Sequence, residues 1–370
     1  MSKRVNNIEY SFKYSLTGQE KDEIIGFYTS LDEVSLEQYP DWYQVYGTEK
    51  KVCFFLAKRE NRVVCFTHIY ENLFKTAHIH FGPIFHDPNI LIDSVRQIYR
   101  HYKARGFTHL SIQLGIKTNS TSEYIEYVLN RDLKIKTFYD RHNWSSVVVD
   151  LSRDLEEIYK NFSSNHKRSI KKALKLGVQV REIKDLSTVE ELCAKYIKMY
   201  KHRKTYLDEA RTQTTFARMY DFFQEHKAGL FLGAWDRDEH LVGGLVLLLQ
   251  GHSFFYSKGV ADPDYRHMPV THLAFFEAMK MAKAAGFRYF DFGGYNHFVD
   301  ANDQVYEINR FKAGFSRNFV FYPKIMHFDY RPLPYKLVKL ARSARDFQRN
   351  CVAHNGLRAF SLRRLWPQFN

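Results

Sequence analysis

The feature that most constrains this chain is the segment LFLGAWDRDEHLVGGLVLLLQGHSFFYSKGVA, residues 230–261, together with the thirty or so residues after it. The stretch reads as a long hairpin of β-strands, then a polar loop, then a helix over 270–285 that stops at Gly286, then a strand over 287–292. Leu241–Leu249 is the longest apolar run, but it contains two glycines and is about half the length a membrane-crossing helix needs. It therefore reads as a buried strand. Two antiparallel strands feeding a loop, a helix and one further strand demand a mixed sheet with a helix packed on it.

The first half repeats this plan. KVCFFLAKRENRVVCFTHIY reads as a hairpin, residues 89–105 as a helix ended by Gly106, and FTHLSIQL as a strand, so a duplicated domain is expected. NWSSVVVDL gives another strand, and DLEEIYKNFSSNHKRSIKKALKLG reads as one helix leading to the strand VQVREI, with helices across 187–227 beyond it. A length of 370 residues suits two domains, placed at 1–150 and 151–330, followed by a basic tail at 331–370. A hydrophobic content of 45% and an aromatic content of 16% exclude a disordered chain.

The net charge of +14 implies an anionic partner, and the tail carries much of it: nine Lys or Arg against Asp346 alone. Its Leu, Val, Ala and Phe are interleaved with these cations, as in a basic amphipathic helix that lies on an anionic membrane or on RNA. The N-terminus MSKRVNNIEYSFKYS has no apolar core, so no signal sequence is expected. Cys53, Cys65, Cys193 and Cys351 form no C-x-x-C pair and no zinc pattern, which fits reduced thiols in the cytoplasm and no metal. His78 and His80 alternate on a strand without a third ligand, DFG lacks the other kinase motifs, and no G-x-S-x-G occurs.

AAGFRYFDFGGYNHF, residues 284–298, ends a buried strand on Asp291 and breaks at Gly293-Gly294. The strand–loop–helix–strand plan resembles the GNAT acyltransferase fold, whose loop before the helix carries R/Q-x-x-G-x-G/A and cradles the pyrophosphate of coenzyme A on backbone amides. The corresponding loop, DPDYRHMPVTH (262–272), keeps Arg266, but Pro269 and Thr271 stand at the glycine positions. Proline has no amide hydrogen, so that cradle is damaged.

Taken in order, HFGPIF, SSNHKRSIKKALKLGVQV, helix 270–285, FDFGGYN and EINRFKAGFSRNFVFYP (307–323) resemble the FemABX family of peptidoglycan-bridge aminoacyltransferases. The resemblance touches most of residues 80–330. It departs where the family often has Trp on the helix and this chain has Phe275-Phe276, and there is no room for the helical arm of some members.

The resemblance implies an α/β (α+β) fold of two GNAT-like domains, each a mixed, mainly antiparallel sheet flanked by helices. It implies transfer of an amino acid from aminoacyl-tRNA to an amine of a UDP- or lipid-linked muropeptide, without a cofactor, at the cytoplasmic face of the membrane. Lys312, in the Phe311-Lys312 pair, is similar to the lysine given a transition-state or tRNA-end role, and is the catalytic candidate. The competing reading is a surface lysine on a strand. Asp291, with Gly293 and Gly294, reads as a strand-end cap or as a proton acceptor. Tyr256, Lys258 and Tyr295 are expected to flank a cleft between splayed strands. Lys167, Lys171 and Lys175 align at i, i+4 and i+8 with Arg168 and Lys172 beside them, opposite an apolar stripe of Ile170 and Leu174, and this face suits diphosphate or an RNA backbone. Two alternatives stay open: an acyl-CoA-dependent N-acyltransferase acting on a sugar or small amine, and a non-catalytic RNA- or membrane-binding protein on the same fold.

Overall fold

The computed structural model describes residues 8–47, 51–72, 74–138 and 145–332. The expected tail at 331–370 lies, beyond Pro332, outside the described residues. In chain order the first half contains β1 (Ile8–Lys13), α1 (Gly18–Thr29), β2 (Lys51–Arg59), β3 (Arg62–Asn72), β4 (Thr76–Ile79), β5 (Ile84–Phe85), α2 (Pro88–Ala104), β6 (His109–Ile112), α3 (Ser120–Leu133) and β7 (Lys136–Phe138). Next come β8 (Ser145–Asp150), α4 (Leu155–Asn161), α5 (Ser164–Lys175), β9 (Gln179–Ile183), α6 (Leu186–His202), α7 (Glu209–His226), β10 (Gly229–Trp235), β11 (Leu241–Gln250) and β12 (Ser253–Ala261). The last elements are α8 (Val270–Ala284), β13 (Tyr289–Gly294), α9 (Gln304–Ala313), β14 (Phe319–Phe321) and β15 (Ile325–Asp329).

Two sheets result. The first runs β1-β2-β3-β4-β6-β15-β7, with β5 on β3, and the second β14-β8-β13-β12-β11-β10-β9. In each, one pair is parallel: β4 with β6 across α2, and β12 with β13 across α8. Among the described residues every other pair is antiparallel. The duplication expected from the sequence is thus visible as one topology used twice.

The domain boundary differs from the expected residue 150. β8 pairs with β13 and β14 in the second sheet, although it directly follows β7, and β15 pairs with β6 and β7 in the first sheet, although it directly follows β14. Each half therefore contributes the strand that sits between the last two strands of the other. Backbone pairing, which strand sequence alone does not specify, decides this exchange.

The helix expected over 154–177 is two helices. Phe162 adopts an extended backbone, is buried against Phe276 and Phe315, and Ser163 then caps α5 by accepting from the His166 amide at 3.3 Å. One face of the second sheet packs on α5 and α8 through Phe275, Phe290, Phe292 and Phe315. The other packs on α6 and α7, joined there by Leu36 and Trp42 of the first half. Gln250 Oε1 accepts from Leu36 N at 2.8 Å and from Ser35 Oγ at 3.1 Å, tying the halves together. Among the described residues no helix exceeds the 18 residues of α7, and none is long and apolar enough to cross a membrane.

Candidate active site

The site begins with a failure of strand pairing. β12 and β13 match only over Ser253–Phe255 and Tyr289–Asp291, and beyond those residues the strands part. On β12, Val246 faces Lys258 while Leu247 faces Tyr256, so Ser257 is an extra, bulged residue. On β13, Gly293 takes φ +68, a backbone conformation that favours glycine. A Cβ there would sit 3.3 Å from both Phe255 Cζ and Tyr256 O.

Lys312 is brought to this opening by α9, and is neither on a strand nor at the surface. It is 8% exposed, its Nζ donates to Gly294 O at 2.7 Å, and it lies 5.8 Å from the centroid of the Tyr256 ring. Burial pulls its pKa down to about 8, against the opposing pull of Asp291. Phe311, the preceding residue, fixes the helix: its ring packs on His272 and Phe275, and its carbonyl accepts from His166 Nε2 at 2.8 Å. That bond defines the tautomer of His166, whose Nδ1 then accepts from Ser163 Oγ at 2.9 Å.

Asp291 is buried, 7% exposed. Its Oδ1 accepts from Gly293 N at 2.8 Å and from Ser146 Oγ, whose single proton can turn instead to Gly293 O at 3.0 Å. Burial raises its pKa, held back by those bonds and by the charges of Lys312 and Lys117. Burial, and then the nearby charges of Asp291 and Glu33, push the Tyr322 phenol well above its ordinary pKa.

A cavity of about 410 Å³ opens between the two halves and reaches Asp291. Its wall includes Glu33, Glu37, Lys117, Arg288 and Tyr322. Because Tyr289 and Asp291 line it while Phe290 and Phe292 enter the core under α8, the cavity lies on the face of the sheet opposite α8.

The structure gathers Lys312, Tyr256, Asp291, Gly293, Gly294 and Phe311. It places the others elsewhere. Lys258 is directed toward α6 beside Cys193 and Glu37, with its pKa lowered chiefly by burial. Tyr256 instead packs on Phe275 of α8. Tyr295 bonds to the backbone of Ser145 and stacks on His297 and Phe319, away from the opening. Arg266 is exposed and donates through Nε to Pro263 O at 3.0 Å. Pro269 is the N-cap of α8 and supplies no side-chain cap.

On α5 the buried residues are His166, Ile170 and Ala173, not the expected Leu174, which is 54% exposed among the lysines. The helix turns about 100° per residue, so Ala173 falls within about 20° of His166 on the inward face, whereas Leu174 is about 80° from it, at the edge. Arg168, Lys171, Lys172 and Lys175 are exposed, while Lys167 is half-buried with Nζ donating to Lys160 O at 3.0 Å. Ser146, Tyr322 and the cavity segment around Glu33 carry no local motif. Tyr322 closes the EINRFKAGFSRNFVFYP stretch but has no spacing signal of its own.

Comparison with known proteins agrees with this architecture. The family described as acetyltransferase (GNAT) domain matches residues 160–308. A lipid II:glycine glycyltransferase of Staphylococcus haemolyticus (strain JCSC1435) is 24% identical over 309 residues, 68% of this chain and 70% of that protein. The crystal structure of FemX superposes with a TM-score of 0.74 at 14% identity, over 89% of this chain and 99% of that one. L-PGS from Bacillus licheniformis follows the same path at a TM-score of 0.56 and 11% identity, over 87% of this chain and 95% of that one.

Proposed function

We propose, from the premise that this chain is a FemABX-type acyltransferase of the GNAT fold, that it transfers an aminoacyl group to an amine of a peptidoglycan precursor peptide. Aminoacyl-tRNA is the proposed donor, and a lipid-linked muropeptide, as the name of the staphylococcal relative suggests, the proposed acceptor. The observation that carries this reading is Lys312: a buried amine, tending to the cationic form at neutral pH, held on Gly294 O where β13 has parted from β12.

Aminolysis of an ester needs a neutral amine, stabilisation of the oxyanion and a proton for the departing ribose oxygen. An ammonium with a pKa of about 8 serves the last two at neutral pH, since it is charged yet gives up its proton readily. The cavity suits the acceptor: Asp32, Glu33, Glu37 and Asp291 outnumber Lys117 and Arg288 in its wall, a balance that attracts an amine-bearing side chain. The exposed cations of α5 suit the phosphates of a charged RNA, by charge and shape and without base reading. Pro269 and Thr271 at the start of α8 argue against pyrophosphate cradling and so against an acyl-CoA donor. The basic residues beyond Arg331 suit contact with the anionic inner membrane surface, where a lipid-linked acceptor resides.

The test mixes purified protein with UDP- or lipid-linked muropeptide and charged tRNA, or with acyl-CoA, and reads the mass added to the acceptor. Addition of an aminoacyl mass with charged tRNA is expected. Addition with acyl-CoA only would overturn the donor, and no addition with either would favour a binding protein.

A further inference from the structure

We propose that His166 is a positioning residue: it clamps the last turn of α9 to the start of α5 and so holds Lys312 and the basic face of α5 in one fixed arrangement. The inference deepens the aminoacyl-transfer reading above and rests on it, since that reading puts the donor's phosphates on α5 and its ester at Lys312.

Three hydrogen bonds make the clamp. His166 Nε2 donates at 2.8 Å to Phe311 O, the carbonyl of the peptide bond that joins Phe311 to Lys312. Ser163 Oγ donates to His166 Nδ1 at 2.9 Å, and Ser163 N donates to Gly314 O at 2.8 Å. The two carbonyls bracket Lys312 along the chain, and both are tied to the start of α5. A carbonyl only accepts, so the proton of the neutral imidazole sits on Nε2 and the lone pair of Nδ1 meets the serine hydroxyl. Burial is the main cause that lowers the pKa of His166, and it pulls that of His272 on α8, whose ring centroid is 4.8 Å away, down to about 4. Both rings are therefore neutral at neutral pH.

Gly314 is an independent sign that α9 is shaped to this ring. Its φ of −71 suits any residue, yet a Cβ there would stand 2.3 Å from His166 Cε1 and 2.6 Å from Nε2. Space, not backbone conformation, requires the glycine, because the imidazole fills the place of its missing side chain. The ring, 4% exposed, also meets Phe315 edge-on with centroids 4.3 Å apart.

Lys167 and Arg168 directly follow His166 on α5. The cations suited to RNA phosphates are thus joined to the lysine suited to the ester through one imidazole and its hydrogen bond. Reaction at an ester demands such placement, since a misplacement of about 1 Å costs about 100-fold in rate.

Single-turnover transfer from charged tRNA to muropeptide, followed across pH beside thermal melts, tests this with His166→Phe, His166→Gln and Gly314→Ala. Phe keeps a ring without the N–H, Gln restores a side-chain N–H, and Gly314→Ala keeps His166 but drives its ring from Phe311 O. His166→Phe and Gly314→Ala should each lose about 30- to 100-fold in kcat, with KM for charged tRNA changed less than about threefold. In both, the decline of rate at high pH should move up from about 8, because a lysine released from its buried seat on Gly294 O regains a more ordinary pKa. His166→Gln should recover about tenfold of the loss. If His166→Phe does not fold, Gly314→Ala decides alone. Wild-type kcat in a folded His166→Phe or Gly314→Ala enzyme, or a slow enzyme whose decline stays at about 8, would overturn the clamp and leave His166 a packing residue. A wild-type protein that transfers nothing from charged tRNA would instead overturn the reading beneath it.

Discussion

Lys312→Met separates a catalytic lysine from a structural one because the two roles predict opposite signs. The ammonium is moved from an ordinary 10.5 to about 8, which amounts to roughly 3 kcal/mol of burial cost at about 1.4 kcal/mol per pH unit. Methionine fills similar volume without that cost. It also strips Gly294 O of its donor, a loss of about 1–2 kcal/mol, so the variant should melt at an unchanged or slightly higher temperature. Turnover should meanwhile fall about 100- to 1000-fold, the usual effect of removing one group that stabilises an oxyanion. Wild-type turnover should decline as pH rises through about 8, where the ammonium is lost, and the variant should lack that limb. The linkage has a matching sign. Between about 8 and 10.5 the folded state holds fewer protons at this lysine than the unfolded state, so the penalty, fully present below 8, is relieved as pH rises. The stability advantage of Met should shrink across that window. Single-turnover transfer assays and thermal melts over about pH 6–10 give both readouts. A variant that keeps kcat within about threefold, or that loses several kcal/mol of stability, would refute the argument.

Charge reversal at Lys167, Arg168 and Lys171 should weaken binding of charged tRNA and flatten its dependence on salt by about 0.7–0.9 in log–log slope for each phosphate no longer neutralised, measured by filter binding. Melting should change little, because the charged heads are mostly in solvent. Gly293→Ala should cost about 1–2 kcal/mol, read by chemical denaturation, because it forces a Cβ onto a residue with φ +68. Phe292→Ala should cost about 3–5 kcal/mol in the same assay, since a fully buried ring between Phe275 and Phe315 would leave a cavity. Gln250→Ala leaves the Leu36 amide without its acceptor and should raise the acceptor KM more than it lowers kcat, because Ser35 and Glu37 belong to the cavity wall.

Much of the architecture is legible in the sequence alone. The hairpin, helix and strand of residues 230–292 declare themselves by periodicity, and both parallel crossovers arise from that plan. Lys312 is legible as chemistry but not as conformation: QVYEINRFKA has few apolar anchors, yet it is helical because Phe311 enters the core and Asp303 caps the first turn. Lys258 is grouped with Tyr256 by its spacing, and the bulge at Ser257, which strand composition does not announce, parts them. The single helix expected over 154–177 fails at Phe162 for a similar reason, since tertiary burial of one ring outweighs continuous helix propensity. The cavity is the least legible feature. It is assembled from residues more than 200 positions apart, such as Glu33 and Asp291, and no local pattern encodes that meeting.

The reciprocal placement of β8 and β15 has a consequence for how such a protein is made and inherited. During synthesis β7 and the edge of β6 must wait unpaired until nearly the whole chain has emerged, because the strand that fits between them is β15. A fragment ending before residue 145 would leave that edge open to other chains, a known route to aggregation. Neither half is then a module that can be truncated, shuffled or expressed by itself. The smallest unit on which selection can act is the interlocked pair.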